Sequence, residues 1–163
     1  MTDRQQKAKE YEGEVVKLIK STHRSWAITE PPDKYAKIDG ISYNRLNQQT
    51  EAVYEIKCRN ASFSDLLTKF NGELIVDTSK LESLQAVSSV LLVPSYIFTY
   101  MLSDGFILKT KITDDSGNYV CNKKDAVQNS SAGMNKGNVD KMMSKIKLDG
   151  TTILSTTQPV GSI

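Results

Sequence analysis

Hydrophobic and polar positions change their period along the first third of the chain, from a helical repeat to a strand-like one. Residues 4–22 carry apolar side chains at helical spacing, which predicts an amphipathic helix. Pro31 and Pro32 then require extended backbone, so the helix must end before them. Residues 36–44 and 52–58 are rich in Ile, Val and Tyr and flank a polar stretch, a pattern that predicts a β-hairpin.

A second helix and two more strands are predicted in the middle of the chain. The segment 79–82 has the S-x-x-E pattern of a capping box, and an apolar stretch runs from it to Leu92. We therefore expect a helix that begins with this segment and ends before Pro94. Residues 96–102 and 106–112 are predicted strands on either side of a short polar turn.

The last third of the chain is more polar and predicts less regular structure. From residue 114 onward the composition shifts toward Asn, Ser, Gly and Lys. Residues 129–138 are predicted to form a loop, residues 139–146 a short helix and residues 151–154 a last strand. The expected organisation is a core at 1–113, a C-terminal extension packed on that core at 114–154, and a flexible tail at 155–163.

Composition is typical of a globular protein with a single domain. The chain has 163 residues, of which 39% are hydrophobic and 25% charged, and this length can bury a sizeable core. The apolar window from Leu84 to Leu102 contains Gln85 and Pro94, which favours a buried helix and strand over a membrane span. The N-terminal segment is charged and lacks the apolar core of a signal peptide. We expect an intracellular, cytoplasmic protein with no membrane partner.

The small numbers of cysteine and histidine residues, and the absence of several sequence motifs, exclude several classes of protein. The sequence has two cysteines, Cys58 and Cys121, and one histidine, His23, so a disulfide framework, a Cys-rich zinc site and a His-cluster metal site all lack their residues. The glycine-rich motifs of nucleotide-binding proteins and the nucleophile elbow of hydrolases are absent from the sequence. The net charge is only +2, so binding to a polyanion would have to come from local basic patches.

The predicted hairpin carries three charged residues within apolar strands. Alternation along its second strand puts Glu55 and Lys57 on one face. If the hairpin is centred near Gln48, Asp39 lies opposite Lys57 and diagonal to Glu55 on that face. Two neighbouring carboxylates repel each other, and a divalent cation with oxygen ligands, Mg²⁺ or Mn²⁺, removes that repulsion. The alternative is an exposed edge hairpin in which the same residues form a cross-strand ion pair.

This order of residues resembles the PD-(D/E)xK nuclease superfamily. In that family a helix precedes a hairpin that carries Asp and then Glu-x-Lys, and a second helix and further strands follow. The same order runs through residues 8–112 here, with Glu-Ile-Lys at 55–57. Asp39 is preceded by Ile38, whereas the literal Pro-Asp pair lies upstream at Asp33. The resemblance implies a single α/β domain of restriction-endonuclease-like fold, a mixed β-sheet flanked by helices with an α-β-β-β-α-β core.

The family often places a glutamate on its first helix, and this sequence offers two. Helical geometry puts Glu12 beside Val15 and Val16, on the face that is expected to pack against the sheet, and directs Glu14 away from it. We therefore choose Glu12. The run of residues 12–19 is also similar to the E-x-E-apolar-apolar-basic segment of archaeal Holliday-junction resolvases within the superfamily.

The resemblance implies a metal-dependent endodeoxyribonuclease, with branched or junction DNA among its expected substrates. Asp39, Glu55 and the backbone carbonyl of Ile56 would hold Mg²⁺, for which Mn²⁺ would substitute. Glu12 would reach the metal through water or bind a second ion, and Lys57 would orient the attacking water. Resolvases are commonly dimers, so a homodimer is expected of that subclass. The rival interpretation is an inactive nucleic-acid-binding or structural protein that keeps the nuclease fold.

Five other residues are candidate contacts to nucleic acid. Arg24 and Ser25 could contact a phosphate, but a solvated helix end is the simpler explanation. Arg59 and Asn60 follow the Glu-x-Lys strand and belong either to the rim of the site or to a simple turn. Lys80 resembles a position that supports the site in other members, but a helix cap also explains it. A loose group of lysines near the C-terminus is expected to be a solvated surface: Lys136, Lys141, Lys145 and Lys147.

Overall fold

The computed structural model describes residues 2–29, 37–131 and 137–156, and within these ranges the chain forms three α-helices and nine strands. The helices are α1 (Asp3–Thr22), α2 (Phe63–Thr68) and α3 (Thr78–Leu91). The strands are β1 (Trp26–Thr29), β2 (Gly40–Asn44), β3 (Thr50–Arg59), β4 (Glu73–Asp77), β5 (Ser95–Met101), β6 (Phe106–Thr113), β7 (Lys123–Ser131), β8 (Asn138–Lys147) and β9 (Thr151–Thr156).

The first helix forms where the apolar periodicity predicts it. A capping box begins α1: the Thr2 side chain accepts a hydrogen bond from the backbone N–H of Gln5, and the Gln5 side chain accepts one from the backbone N–H of Thr2. This exchange satisfies two backbone donors that would otherwise lack partners at the helix start. Val15 and Ile19 on the apolar stripe are fully buried. The predicted helix at residues 4–22 is confirmed.

Six strands form a mixed sheet in the order β1-β2-β3-β5-β6-β9. Strands β3 and β5 run parallel, and every other neighbouring pair in this sheet is antiparallel. The chain between β3 and β5 contains α2, β4 and α3, and a parallel pair requires a long crossover of this kind. The predicted hairpin, the two predicted central strands and the α/β class are confirmed.

Strands β4, β8 and β7 form a second, smaller antiparallel sheet, and this sheet corrects two predictions. Residues 139–146 are strand rather than helix, because pairing on both sides of β8 satisfies its backbone and buries Ile146 in the core. The predicted loop at 129–138 is occupied at both ends by β7 and β8. Residues 132–136 lie outside the described residues.

Two apolar clusters cover the two faces of the large sheet. Helix α1 packs on one face, and α3 together with the small sheet packs on the other. The α1 cluster contains the buried side chains of Val15, Ile19, Tyr54, Ile56, Phe98, Tyr100 and Ile107. The α3 cluster contains those of Val53, Leu66, Leu74, Val76, Leu81, Leu84, Val93, Ile97, Met101, Leu108, Ile112 and Ile146.

The start of α3 corrects the capping-box prediction. The helix begins at Thr78 with Asp77 as its N-cap, and no side-chain hydrogen bond caps it. Ser79 therefore lies inside the first turn, where its carbonyl accepts a hydrogen bond from the Ser83 hydroxyl. A capping box does occur at the start of α2, where Ser62 exchanges hydrogen bonds with Asp65.

The C-terminal segments divide between the two sheets. Strand β9 includes the predicted strand at 151–154, and residues 155–156 of the predicted tail also belong to it. Residues 157–163 lie outside the described residues, as do Pro31, Pro32 and Asp33. Within the described ranges, no helix has both the length and the apolar character needed to cross a bilayer.

Candidate functional site

Strand β3 positions the central charged pair. Tyr54 and Ile56 point toward α1, where they join its apolar cluster. Because successive side chains alternate between the two faces of a strand, Glu55 and Lys57 point to the other face, toward α3. The Glu55 side chain is only 1% exposed although it carries a carboxylate. The sequence-based assignment of Glu55 and Lys57 to one face is confirmed.

The two carboxylate oxygens of Glu55 have different surroundings. Oε1 lies 2.6 Å from the Nζ atom of Lys57 and 3.0 Å from the Nζ atom of Lys80 on α3. Oε2 is buried and has no hydrogen-bond partner within the part of the chain that the structure describes. A buried polar atom without a partner carries a desolvation cost of about 1–3 kcal/mol, more when it belongs to a charged group. One Glu55 oxygen is thus neutralised, while the other can accept a ligand.

Asp39 lies beside Glu55, immediately before β2. Its Oδ2 accepts a hydrogen bond of 2.6 Å from the backbone N–H of Ile56, and its own N–H donates to the Tyr54 carbonyl at 3.1 Å. Burial, and then the charge of Glu55, raise the pKa of the Asp39 carboxyl to about 6. The two carboxylates are therefore close enough to repel each other, as the sequence analysis expects of a metal site.

The pairing of Asp39 differs from the predicted register. Gly40 is the Cα partner of Tyr54, so Asp39 lies next to Glu55 rather than opposite Lys57. The hairpin loop is centred before Gln48, since the N–H of Asn44 donates to the carbonyl of Gln49. An irregularity in pairing after residue 42 then shifts the register once more. The shift brings the two carboxylates closer together than the predicted register would.

The orientations of the two glutamates of α1, Glu12 and Glu14, differ from the predicted ones. Glu12 is exposed to solvent on one side and faces the carboxylate cluster on the other; partial burial, and then the charge of Glu55, raise its pKa. Glu14 was expected to point away from the sheet, and this is wrong. Its Oε2 accepts a hydrogen bond of 3.0 Å from the Tyr100 hydroxyl on β5. Glu14 thus contacts the sheet, whereas Glu12, which was expected to lie on the sheet-packing face, is exposed.

The oxygen donors fit a hard divalent cation. Asp39 and Glu55 supply carboxylates, and the N–H and C=O of Ile56 project to the same side of β3, so its carbonyl lies on the Asp39 side. Carboxylate and carbonyl oxygens are the ligands that Mg²⁺ and Mn²⁺ prefer. No group of three Asp, Glu, His or Cys side chains that could hold a metal occurs among the described residues. The oxygen donors that the structure brings together here are therefore two carboxylates and a backbone carbonyl.

The predicted nucleic-acid contacts lie in three different places. Lys80 belongs to the cluster itself, through its contact with Glu55. Arg59 donates from its guanidinium to the carbonyl of Ile75 on β4, and burial lowers its pKa. Asn60 is exposed beside it. Arg24 and Ser25 follow the C-terminal end of α1, about 15 Å along the helix axis from Glu12, so the structure does not bring them to the site.

A cavity of about 530 Å³ opens where β3 ends, and Arg59 and Asn60 contribute to its lining. Its lining comes from the end of β3, from α2, and from β4 and β8 of the second sheet, which the sequence analysis did not predict. Arg59, Asp77 and Lys141 contribute its charged lining, and Phe70 and Met143 part of its apolar lining. The contribution of Lys141 to this lining was not predicted, because residues 139–146 were expected to form a helix.

Comparison with protein-family models, with curated proteins and with solved structures gives no match for this chain.

Proposed function

We propose that this protein is a metal-dependent endodeoxyribonuclease of the PD-(D/E)xK type. The observation that carries the proposal is the buried Glu55 carboxylate, with one unpartnered oxygen, beside Asp39 and two lysine ammonium groups. Both lysines contact the same oxygen of Glu55, so the other oxygen, beside a second carboxylate that repels it, is the position that a divalent cation would stabilise. Asp39, Glu55 and Lys57 are also the residues that the family resemblance singles out.

The order of elements supports a restriction-endonuclease-like fold. Helix α1 is followed by the antiparallel strands β1, β2 and β3, then by a crossover that contains α3, and then by β5 parallel to β3. This is the α-β-β-β-α-β order that the resemblance implies, with α2 and β4 inserted in the crossover. Strand β3 is an interior strand, which argues against the exposed edge hairpin considered above.

In this proposal Asp39, Glu55 and the Ile56 carbonyl hold Mg²⁺ or Mn²⁺. When bound, the ion lowers the pKa of a coordinated water and stabilises negative charge on the scissile phosphate. Lys57 is 21% exposed, so its ammonium can contact Glu55 and still donate a hydrogen bond to an attacking water or a phosphate oxygen. Glu12 is exposed, and burial and the charge of Glu55 raise its pKa; in this proposal it would reach the metal through water or bind a second ion.

The rival function is an inactive protein that keeps the fold and binds nucleic acid without cleaving it. Decay of a catalytic site removes the selection that maintains a costly buried charge, so an intact Asp39, Glu55 and Lys57 set favours the enzyme. The subclass stays open among junction resolvases, restriction-type endonucleases and repair or phage nucleases. A homodimer, common among resolvases, stays a prediction that light scattering in solution tests.

The test is cleavage of a panel of linear, nicked, branched and single-stranded DNA in the presence of Mg²⁺ or Mn²⁺. We expect cleavage of at least one substrate, with 5′-phosphate and 3′-hydroxyl products, and its loss when EDTA replaces the metal. The variant Glu55→Gln should be inactive, whereas Glu51→Gln, the same change on the same strand outside the cluster, should retain activity. Absence of cleavage across the whole panel, or full activity in Glu55→Gln, would contradict the proposal.

A further inference from the structure

Several lysines lie on one face of β8 because this segment is a strand; in a helix they would point in different directions. Side chains two residues apart lie on the same face of a strand, so Lys141, Met143, Lys145 and Lys147 share one face of the small sheet. The opposite face packs into the core, where Ile146 is fully buried. Met143 on the lysine-bearing face is also buried, where it lines the cavity, so the accessible part of this face lies beyond it, at Lys145 and Lys147.

Strand β7 adds a fourth lysine to this face. Lys124 is the direct cross-strand partner of Lys145, and directly paired side chains point to the same face of a sheet. Like charges placed opposite each other are destabilising unless an anion lies between or above them. Lys124, Lys145 and Lys147 form no ion pair within the described ranges of the chain. We call these three residues the lysine face.

Two acidic residues lie near the lysine face and do not neutralise it. Glu73 is the cross-strand partner of Lys147, without an ion pair between them in the described structure. Asp77 lies 3.4 Å from the Nζ atom of Lys141, next to the cavity. Lys145, between Ile75 and Lys124 in the sheet, has no acidic cross-strand partner. The central part of the face thus keeps an excess of positive charge.

The lysine face is continuous with the carboxylate cluster. Arg59 and Asp77 line the cavity at the end of β3, and Lys141 and Met143 of β8 line the same cavity. Asp77 is the residue immediately before α3, and Lys80 in the first turn of that helix contacts Glu55. A chain of neighbouring residues therefore leads from the cluster, past the cavity, to β8.

The shape of the β7–β8 hairpin favours a duplex. Strand β4 pairs only with residues 143–147 of β8, so the outer half of the hairpin is a two-stranded ribbon. Residues of this outer half, including Val127 and Met142, are exposed at 63% and 49%. A two-stranded β-ribbon has dimensions that the major groove of B-DNA accepts. Lysines at the base of such a ribbon would lie against the adjacent phosphates.

We propose that the lysine face binds the phosphodiester backbone of duplex DNA while the scissile phosphate lies at the Asp39–Glu55 cluster. This inference rests on the proposed nuclease function for the identity of its ligand. It assigns DNA binding to the C-terminal extension, on a surface that the family resemblance does not include. It also explains how a chain of small net charge attracts a polyanion, since the cations are concentrated on one sheet face.

The test compares two triple variants by fluorescence anisotropy on a labelled DNA duplex, with EDTA present so that no cleavage occurs. The first variant is Lys124→Gln, Lys145→Gln and Lys147→Gln. The matched control is Lys7→Gln, Lys17→Gln and Lys20→Gln, three exposed lysines on α1 with the same total change of charge. We expect the first variant to bind about ten-fold more weakly or worse at low salt, and the control to bind within about two-fold of wild type.

Salt dependence gives a second readout that a loss of folding would not imitate. Each phosphate contact contributes about −0.9 to the slope of log K against log salt for duplex DNA, so losing three should make the slope shallower by roughly 2 to 3. The single variant Lys145→Gln should make it shallower by about 0.9. Equal affinities and slopes for both triple variants would overturn the inference, as would stronger binding of wild type to duplex RNA or to single strands than to duplex DNA.

Failure of this inference is distinguishable from failure of the proposed function. If wild type cleaves DNA but the lysine-face variant binds like the control, the nuclease stands and the lysine face is not its DNA surface. If the lysine face is required for duplex binding but no substrate is cleaved with any metal, the surface assignment stands and the protein is the inactive binding protein.

Discussion

The Nζ atom of Lys80 on α3 lies 3.0 Å from Oε1 of Glu55 on β3, the oxygen that Lys57 also contacts. A residue of the crossover helix thus shares the neutralisation of the buried carboxylate with a residue of the strand itself. Asp39 lies beside Glu55, so the cluster holds two carboxylates and two ammonium groups, and a divalent cation bound there would free one lysine for another role. We assign charge balance to Lys80 and interaction with the attacking water to Lys57.

The first prediction separates these two roles. Lys57→Ala should lower the single-turnover cleavage rate by about 10²–10³-fold at saturating metal and DNA, because an electrostatic donor used mainly in the transition state is lost. Lys57→Arg should not restore the rate, since a planar guanidinium cannot place its charge at the same point. Lys80→Ala should lower the rate by less than about ten-fold. A rate for Lys57→Ala within about five-fold of wild type would make that lysine a bystander.

The second prediction concerns the stability of the metal-free protein. The Asp39 pKa is raised from 3.8 to about 6 in the folded state, so the folded protein binds a proton more tightly than the unfolded chain. The stability that protonated Asp39 contributes is complete below about pH 4 and is lost as the pH rises through 6. Asp39→Asn should therefore raise the free energy of unfolding at pH 7 by on the order of 1–3 kcal/mol while it abolishes cleavage.

Urea denaturation of wild type and Asp39→Asn between pH 4 and pH 8, in EDTA, measures this difference. The two stabilities should converge toward pH 4 and separate above pH 6. A variant that is less stable than wild type at pH 7 would show that the hydrogen bond from Ile56 to the Asp39 carboxylate outweighs its repulsion with Glu55.

The third prediction distinguishes the glutamates of α1. Glu12→Gln should lower turnover strongly with little change in stability, because Glu12 faces the cluster from an exposed position. Glu14→Gln should leave turnover within a few-fold and cost about 1 kcal/mol of stability, since it weakens the hydrogen bond from the Tyr100 hydroxyl. Cleavage rates and thermal melting temperatures of both variants test this assignment. A larger loss of rate in Glu14→Gln than in Glu12→Gln would refute the role given to Glu12.

The fourth prediction uses the single histidine of the chain. His23 Nε2 lies 2.7 Å from the Nζ atom of Lys109, and burial, followed by the charge of Lys109, lowers the His23 pKa. Because the folded-state pKa lies below the ordinary value of 6.5, stability is complete above pH 6.5 and falls as the pH drops through the folded-state pKa. A proton NMR titration should place the imidazole midpoint below 6.5, and a midpoint at or above 6.5 would contradict the contact.

Local pattern predicted two helices and five strands, α1, α3, β2, β3, β5, β6 and β9. It did not predict β1, α2, β4 or β7, and it was wrong for β8. Val139, Met142, Met143 and Ile146 stand at i, i+3, i+4 and i+7, the spacing of a helical stripe. In the structure Met143 and Ile146 point to opposite faces of a strand, because β4 and β7 pair with it from both sides. The partner β4 lies about seventy residues upstream, farther than the short windows over which sequence periodicity is measured.

The candidate site was also predicted only in part, for the residues that lie on one strand. Alternation alone placed Glu55 and Lys57 on one face, since both lie on the same strand. Which residue of β3 lies opposite Asp39 depends on the register of the hairpin. That register is set by the loop, where Gln48 adopts a positive φ of 58°, and by the shift in pairing after Ser42. Those features follow from side-chain hydrogen bonds of Asn44 within the loop, which composition does not specify.

The most direct test of the central claim is a calorimetric titration of the protein with Mn²⁺, because it needs no knowledge of the substrate. The claim is that Asp39 and Glu55 form a divalent-metal site. Wild type and the control Glu51→Gln should bind Mn²⁺ saturably with the same affinity, and Glu55→Gln should show no saturable binding. Equal binding by Glu55→Gln, or no binding by wild type, would contradict the claim that the carboxylate cluster is a metal centre.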